Sequence, residues 1–252
     1  MKSTIKQLAK DKRILLWDIE TSYLRAGIWR PGYNMTVGPD QILIENKIIC
    51  LAYKWLGEKE VHTLDWGLRR QCDKALLKKF YKVLVQADFI VTQNGDRFDI
   101  PWLKTRAVLQ GLPPLPEINS LDTLKLNKRT FNFNSNKLDY VAKVLGHGGK
   151  DKMEFADWVK IIENKDSKAL EKMINYNKKD VVILEKVFID ILPHVTLPAC
   201  LYPLTDSKEA KCVQCNSKDV AWDGYKHTKY YSYRRFNCRK CGHPGRIHTR
   251  TK

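Results

Sequence analysis

Asp18 and Glu20 stand two residues apart at the close of a short apolar run, Ile14-Leu15-Leu16-Trp17. On an extended chain, residues i and i+2 face the same side, so both carboxylates project together while Ile19 turns the other way. Two such charges repel unless a cation neutralises them. Two further acids have contexts that suit the same site. Asp99 follows the apolar run Phe89-Ile90-Val91-Thr92 and the turn signal Asn94-Gly95, and it opens a stretch of helical spacing. Asp180 lies four residues after Tyr176, so one helix face presents both the phenol and the carboxylate. Four carboxylates without His or Cys form a hard oxygen donor set that favours Mg2+ or Mn2+ over zinc. Two such ions, ~3.5–4 Å apart, clamp the attacking and leaving oxygens of an in-line displacement. Asp18 is the expected shared ligand, with Glu20, Asp99 and Asp180 completing the set. A phenol has an unperturbed pKa near ~10, so Tyr176 is expected to orient a water rather than to act as a base.

A second constellation is made of sulfur. Cys212-Val213-Gln214-Cys215 and Cys238-Arg239-Lys240-Cys241 are two Cys-x-x-Cys knuckles separated by residues 216–237. Four thiolates in two short pairs suit one tetrahedral Zn2+, and the spacing resembles a zinc ribbon. His227, His243 and His248 lie nearby, but the four cysteines already fill the shell. Cys50, Cys72 and Cys200 have no partner at ligand spacing and read as buried residues.

The elements that must carry these residues follow from periodicity. Residues 13–17 read as a buried strand; residues 47–55 and 61–66 read as a strand pair around a turn at Gly57-Glu58-Lys59-Glu60. Residues 75–86 have helical spacing, residues 89–92 form another core strand, and residues 99–109 resume a helix. A loop with three prolines occupies residues 112–116, and helical patterns return at residues 138–145 and 170–192. This order predicts an α/β fold, with a mixed sheet flanked by helices. Near residue 196 the character changes. The expected division is an α/β domain over residues 1–196, a linker over 197–210 and a zinc ribbon over 211–252.

Charge narrows the partners. The chain of 252 residues has a formal net charge of +17, which implies a strongly negative ligand. The longest apolar runs are far below the length of a membrane span or a signal-peptide core, so the expectation is a cytoplasmic protein with no membrane partner and reduced thiols. Residues 201–252 hold twelve Lys/Arg against four Asp/Glu. Within them, the stretch from Tyr225 to Phe236 interleaves aromatics with cations, a pattern suited to phosphates and unpaired bases. The competing reading is that these aromatics form the ribbon's own small core.

The acidic motifs carry a family resemblance. Asp18-Ile19-Glu20-Thr21, then Asn94 with Phe98-Asp99-x-Pro101-Trp102-Leu103, then Tyr176-x-x-x-Asp180 resemble, in order, the three exonuclease motifs of proofreading domains in family B DNA polymerases. Ser120–Leu124 and Ser135–Ala142 are similar to the same domains, and the resemblance spans residues 12–190. It implies an RNase H-like fold of the tyrosine-bearing subgroup and a metal-dependent 3′→5′ exonuclease acting on single-stranded DNA. It further implies that Thr21, Asn94 and Phe98 help to seat the terminal nucleotide, and that the protein partner, if any, belongs to replication or repair. RNA trimming and a catalytically inert nucleic-acid adaptor remain the alternatives.

Overall fold

The structure is a computed structural model. It describes residues 12–30, 32, 35–149, 153–196, 210–227 and 232–248. They fall into two compact units, residues 13–188 and a C-terminal unit from residue 189.

The larger unit is built on a five-stranded sheet. In chain order its strands are β1 (Ile14–Thr21), β4 (Ile48–Trp55), β5 (His62–Asp65), β6 (Phe89–Thr92) and β7 (Asn119–Asp122). A separate two-stranded pair, β2 (Arg25–Ala26) and β3 (Ile42–Ile44), lies between the first two. The sheet order is β5-β4-β1-β6-β7. The β5–β4 and β4–β1 pairs are antiparallel, whereas β1–β6 and β6–β7 are parallel. The expected mixed sheet is therefore present, with β1 at its centre.

Alternation in β1 decides what lies on each face. Leu15, Trp17 and Ile19 pack into one core with Leu76, Leu77, Phe80 and Leu84 of α1 (Lys74–Leu84) and Leu103 of α2 (Asp99–Leu109). The Trp17 and Phe80 rings meet at 5.1 Å. Across the sheet, Ile49 and Cys50 pack on Ile161 and Ile162 of α5 (Phe155–Ile162) and on Ala169, Leu170 and Met173 of α6 (Ser167–Ile191). Asp18 and Glu20, offset by one residue from the first core, share their face with α6. Lys54 pairs with Glu185 of α6, whose other oxygen accepts Gly57 N–H at 2.9 Å.

Several elements differ from the sequence-based expectation. β1 continues to Thr21 because its pairing with β4 runs past both acids, from Leu15↔Trp55 to Thr21↔Ile48. The acids are thus inside the strand rather than just beyond it. β7, α3 (Thr123–Thr130) and α5 were not anticipated; α4 (Leu138–Val144) was. α3 is fixed by its cap, Asp122, which accepts Leu124 N–H at 2.9 Å.

The C-terminal unit holds a three-stranded antiparallel sheet, β8 (Val220–His227), β9 (Ser232–Cys238) and β10 (Pro244–His248), in the order β10-β9-β8. The expected linker lies almost wholly outside the described residues, as does Cys200. Among the described residues no helix is long and apolar enough to cross a membrane.

A buried carboxylate ties the N-terminal half together. Asp73 is wholly buried and accepts from Arg106 Nε at 2.6 Å, Arg106 Nη2 at 3.0 Å, Gln110 Nε2 at 2.9 Å and Ile48 N–H at 3.1 Å. It therefore joins the start of β4 to α1 and α2. Asp73→Ala leaves the Arg106 guanidinium buried without its counter-ion, and a loss of about 3–5 kcal/mol in urea unfolding is expected. A loss below about 1 kcal/mol, the range of exposed pairs, would contradict the clamp.

Candidate metal centres

Three chain segments bring their acids to one place. Carboxylate oxygens of Asp18, Glu20 and Asp180 lie within 4.8 Å of one another. β1 supplies the first two from one face; α6 supplies the third from its inward stripe. Asp99 does not join that tight group of three, yet it is close by. Its Oδ1 accepts Ile19 N–H, between the two acids of β1, at 3.2 Å. Asp99 is 2% exposed. Burial, reinforced by the Asp18 charge, holds its carboxyl well above the usual carboxylate range, although its own N–H and that of Ile19 pull the other way.

These shifts test whether the residues suit a cation. Acids this close cannot all ionise unaided, and the oxygens offered are those that hard divalent ions prefer. The donor set fits Mg2+ or Mn2+, held by Asp18, Glu20 and Asp180 with Asp99 alongside. Tyr176 is half-buried on the same helix. Burial first, then the charges of Asp180, Glu20 and Asp18, raise its phenol above its ordinary value, and it hydrogen-bonds Asp180. It stays a neutral hydroxyl at physiological pH. Cys50 faces Glu20 across β1–β4, and burial with the Glu20 and Asp18 charges keeps its thiol protonated.

The turn before Asp99 divides its labour between two residues. Asn94, not Gly95, takes the left-handed conformation, at φ 65°. Gly95 is needed for space, because a Cβ there would sit 2.1 Å from Thr92 Oγ1. Asp122 accepts Asn94 N–H at 2.9 Å and Asp96 N–H at 3.3 Å, so the cap of α3 also pins this turn. Phe98 then caps α2 with its ring 39% exposed, edge-on to Trp102 at 6.2 Å. The Thr21 carbonyl accepts Trp158 Nε1 at 2.9 Å. Asp96 and Asp139 pair with Lys125 at 2.6 Å and Lys143 at 2.8 Å.

One residue at this site was not anticipated. Asn177, fully buried on α6, donates from Nδ2 to Asp18 Oδ2 at 2.7 Å. The available signal was a polar side chain at an inward position of an amphipathic helix, four residues after Met173 and four before Val181.

With this geometry in hand, the comparisons decide the family. The chain matches the RNase H superfamily over residues 44–191, more than half its length. The chain belongs to the RNase H superfamily. The matched span contains Asp99, Tyr176 and Asp180 of this superfamily member, while Asp18 and Glu20 precede it. Over 40 residues, 16% of this chain, it is 48% identical to a DNA polymerase of Methanocaldococcus jannaschii, of which it covers 2%. Its fold is similar to the family B DNA polymerase of Pyrobaculum calidifontis, with a TM-score of 0.54 and 18% identity over 72% of this chain and 25% of that one.

The four cysteines of this superfamily member fit a zinc ribbon. Their sulfurs all lie within 4.8 Å, with Cys212–Cys241 at 3.4 Å and Cys215–Cys238 at 3.5 Å. A tetrahedron with Zn–S near 2.3 Å has S–S edges of about 3.8 Å. The two knuckles are built alike. Asn216 N–H reaches the Cys212 carbonyl at 2.7 Å and Gly242 N–H reaches that of Cys238 at 2.8 Å, both residues at positive φ. Burial pushes the Cys212 thiol up. At Cys238 burial acts in the same direction but is outweighed by hydrogen bonds from the Cys241 and Lys240 backbone and the Cys215 thiol, so its thiol falls to about 7. Cys72 is half-buried rather than buried. His243 is buried and hydrogen-bonds the Pro193 carbonyl at 3.1 Å, which leaves the shell to sulfur. About one zinc per chain is expected by elemental analysis, and its loss in the Cys212→Ser, Cys215→Ser double variant. A full complement of zinc in that variant would reject the site.

Proposed function

We propose that this chain is a metal-dependent 3′→5′ exonuclease that removes terminal nucleotides from DNA, preferentially single-stranded. The observation that carries the reading is the convergence of Asp18, Glu20 and Asp180 within 4.8 Å, with Asp99 held against Ile19 beside them. Divalent cations bound there supply an activated water and stabilise the departing 3′ oxygen. The residues of the chain do the rest. Asp18, Glu20, Asp99 and Asp180 hold the cations, and the Tyr176 hydroxyl orients the attacking water without taking its proton. Thr21, Asn94 and the exposed Phe98 side chain are assigned to seating the terminal nucleotide.

The substrate class rests on charge, and its DNA character on the polymerases named above. The net charge of +17 favours nucleic acid. In the C-terminal unit, Arg234 lies over the Trp222 ring at 3.9 Å and Arg246 over Tyr233 at 4.7 Å. Trp222 is 41% exposed although it packs edge-on to the buried Phe236. Of the aromatics from Tyr225 to Phe236, Phe236 is buried and forms the core while Tyr225 is exposed; just before that stretch, Trp222 with Arg234 suits stacking of unpaired bases. The proposed setting is cytoplasmic, alongside replication or repair proteins.

An end-labelled oligonucleotide assay with Mg2+, comparing single-stranded DNA, duplex DNA and RNA, tests the proposal. Single-nucleotide shortening from the 3′ end, fastest on single-stranded DNA, is expected; preference for RNA would transfer the assignment to a ribonuclease. Asp18→Ala with Glu20→Ala should abolish Mg2+-dependent digestion and leave DNA binding largely intact, and unchanged digestion would remove the site. Tyr176→Phe should lower kcat by about a hundredfold, the scale of a misplaced reactant, with KM little changed. Because the phenol is raised above its ordinary value, the shape of the neutral pH–rate profile should be the same in both proteins. A limb lost in the variant would make Tyr176 a base.

A further inference from the structure

We propose that Asn177 is a positioning residue for the carboxylate site: its buried amide fixes the orientation of Asp18 and thereby sets how tightly the site holds a divalent cation. The inference rests on the reading of that site as a cation-binding centre.

Asn177 occupies the inward stripe of α6 with Met173, Asp180, Val181 and Leu184, all buried. An amide is a poor occupant of such a stripe, where an aliphatic side chain would pack without desolvating a polar group. It has one hydrogen bond that accounts for its presence, Nδ2 to Asp18 Oδ2 at 2.7 Å. A carboxylate only accepts, so the amide nitrogen must face it, and the orientation of the amide follows. The consequence is visible at the other end: Asn177 Oδ1 is buried with no hydrogen-bond partner among the described residues. Leaving an acceptor orphaned is unfavourable, and an apolar residue of similar volume would avoid it. Stability alone does not explain this side chain.

Its chemistry suits a ligand holder. The amide is neutral, so it orients Asp18 without bringing a positive charge that would compete with the cation. It engages Asp18 through Oδ2 and so fixes the rotation of that carboxylate. Hydrogen-bond partners of metal-binding groups act in this way, and their removal costs roughly 10–100-fold in metal affinity. Asn177 also adjoins Tyr176 and lies one helical turn before Asp180, so a single turn of α6 places the water-orienting hydroxyl, a ligand and the support of a second ligand.

The test separates position from fold. Mn2+ binding is measured by electron paramagnetic resonance on the full-length protein, with the Mg2+ concentration for half-maximal digestion measured in parallel. Asn177→Leu should melt at or above the wild-type temperature, bind Mn2+ at least tenfold more weakly and require correspondingly more Mg2+, with KM for DNA unchanged. Asn177→Ala, which adds no bulk, should give the same loss of affinity and serves if the leucine variant does not fold. Mn2+ affinity within twofold of wild type in either folded variant overturns the inference. If Asp18→Ala does not reduce Mn2+ binding at all, the reading of the site fails and the inference falls with it, a result obtained before any Asn177 variant is made.

Discussion

Mutual repulsion among carboxylates is the constraint around which the larger unit is organised. Asp18 and Glu20 come from the middle strand of a sheet, Asp180 from a helix some 160 residues later, and Asp99 from the first turn of another helix. Left to themselves such groups would spread into water. Here both cores of the sheet prevent it. Trp17 and Ile19 are locked beneath α1, and α6 is seated on the opposite face through Ala169, Leu170 and Met173. The work of crowding the acids is thus done by apolar burial at a distance, and a retained proton or a bound cation is the remaining way to relieve it.

The sheet itself opens at this point. β6 pairs with β1 only at Ile14, Leu15 and Leu16, whereas β4 accompanies β1 as far as Thr21. Beyond Leu16 no strand among the described residues lies on that flank of β1, and its backbone polar groups need other partners. Asp99 meets one such need by accepting the Ile19 N–H. The departing end of β6, the turn through Asn94 and Gly95, and the start of α2 are therefore one device. They stop the parallel pairing and return a carboxylate to the freed edge of β1. Asp122 reinforces it from β7, serving the turn and the cap of α3 with the same side chain.

Much of this was legible in the sequence, and the reasons differ from residue to residue. Alternation placed Asp18 and Glu20 together, and helical spacing put Tyr176 on the face of Asp180. The bounds of β6 and α2 followed from an apolar run meeting a turn and then a change of period. The two knuckles were legible because sulfur at that spacing has few other uses. Long-range polar pairs were not. Asn177 meets Asp18 across 159 positions, and Asp73 meets Arg106 and Gln110 only after two helices have packed. β7 and α3 are short and owe their form to a neighbouring strand and a cap, and the amphipathic pattern of α5 spans only 8 residues. At Asn94-Gly95 the turn was legible but its division of roles was not, since the tight approach to Thr92 required the glycine and left the unusual backbone to asparagine.

β4 contributes no ligand, yet it governs whether β1 can. Side chains on a strand change face with every residue, so a slip of a single position would send both acids into the apolar core beneath α1 and turn Trp17 and Ile19 toward α6. What forbids the slip is the unbroken register from Leu15↔Trp55 to Glu20↔Cys50, with an irregularity only after Glu20. Inherited or engineered insertions and deletions in β4 should therefore be as damaging as losses of the acids themselves, and tolerance to length change belongs outside that ladder.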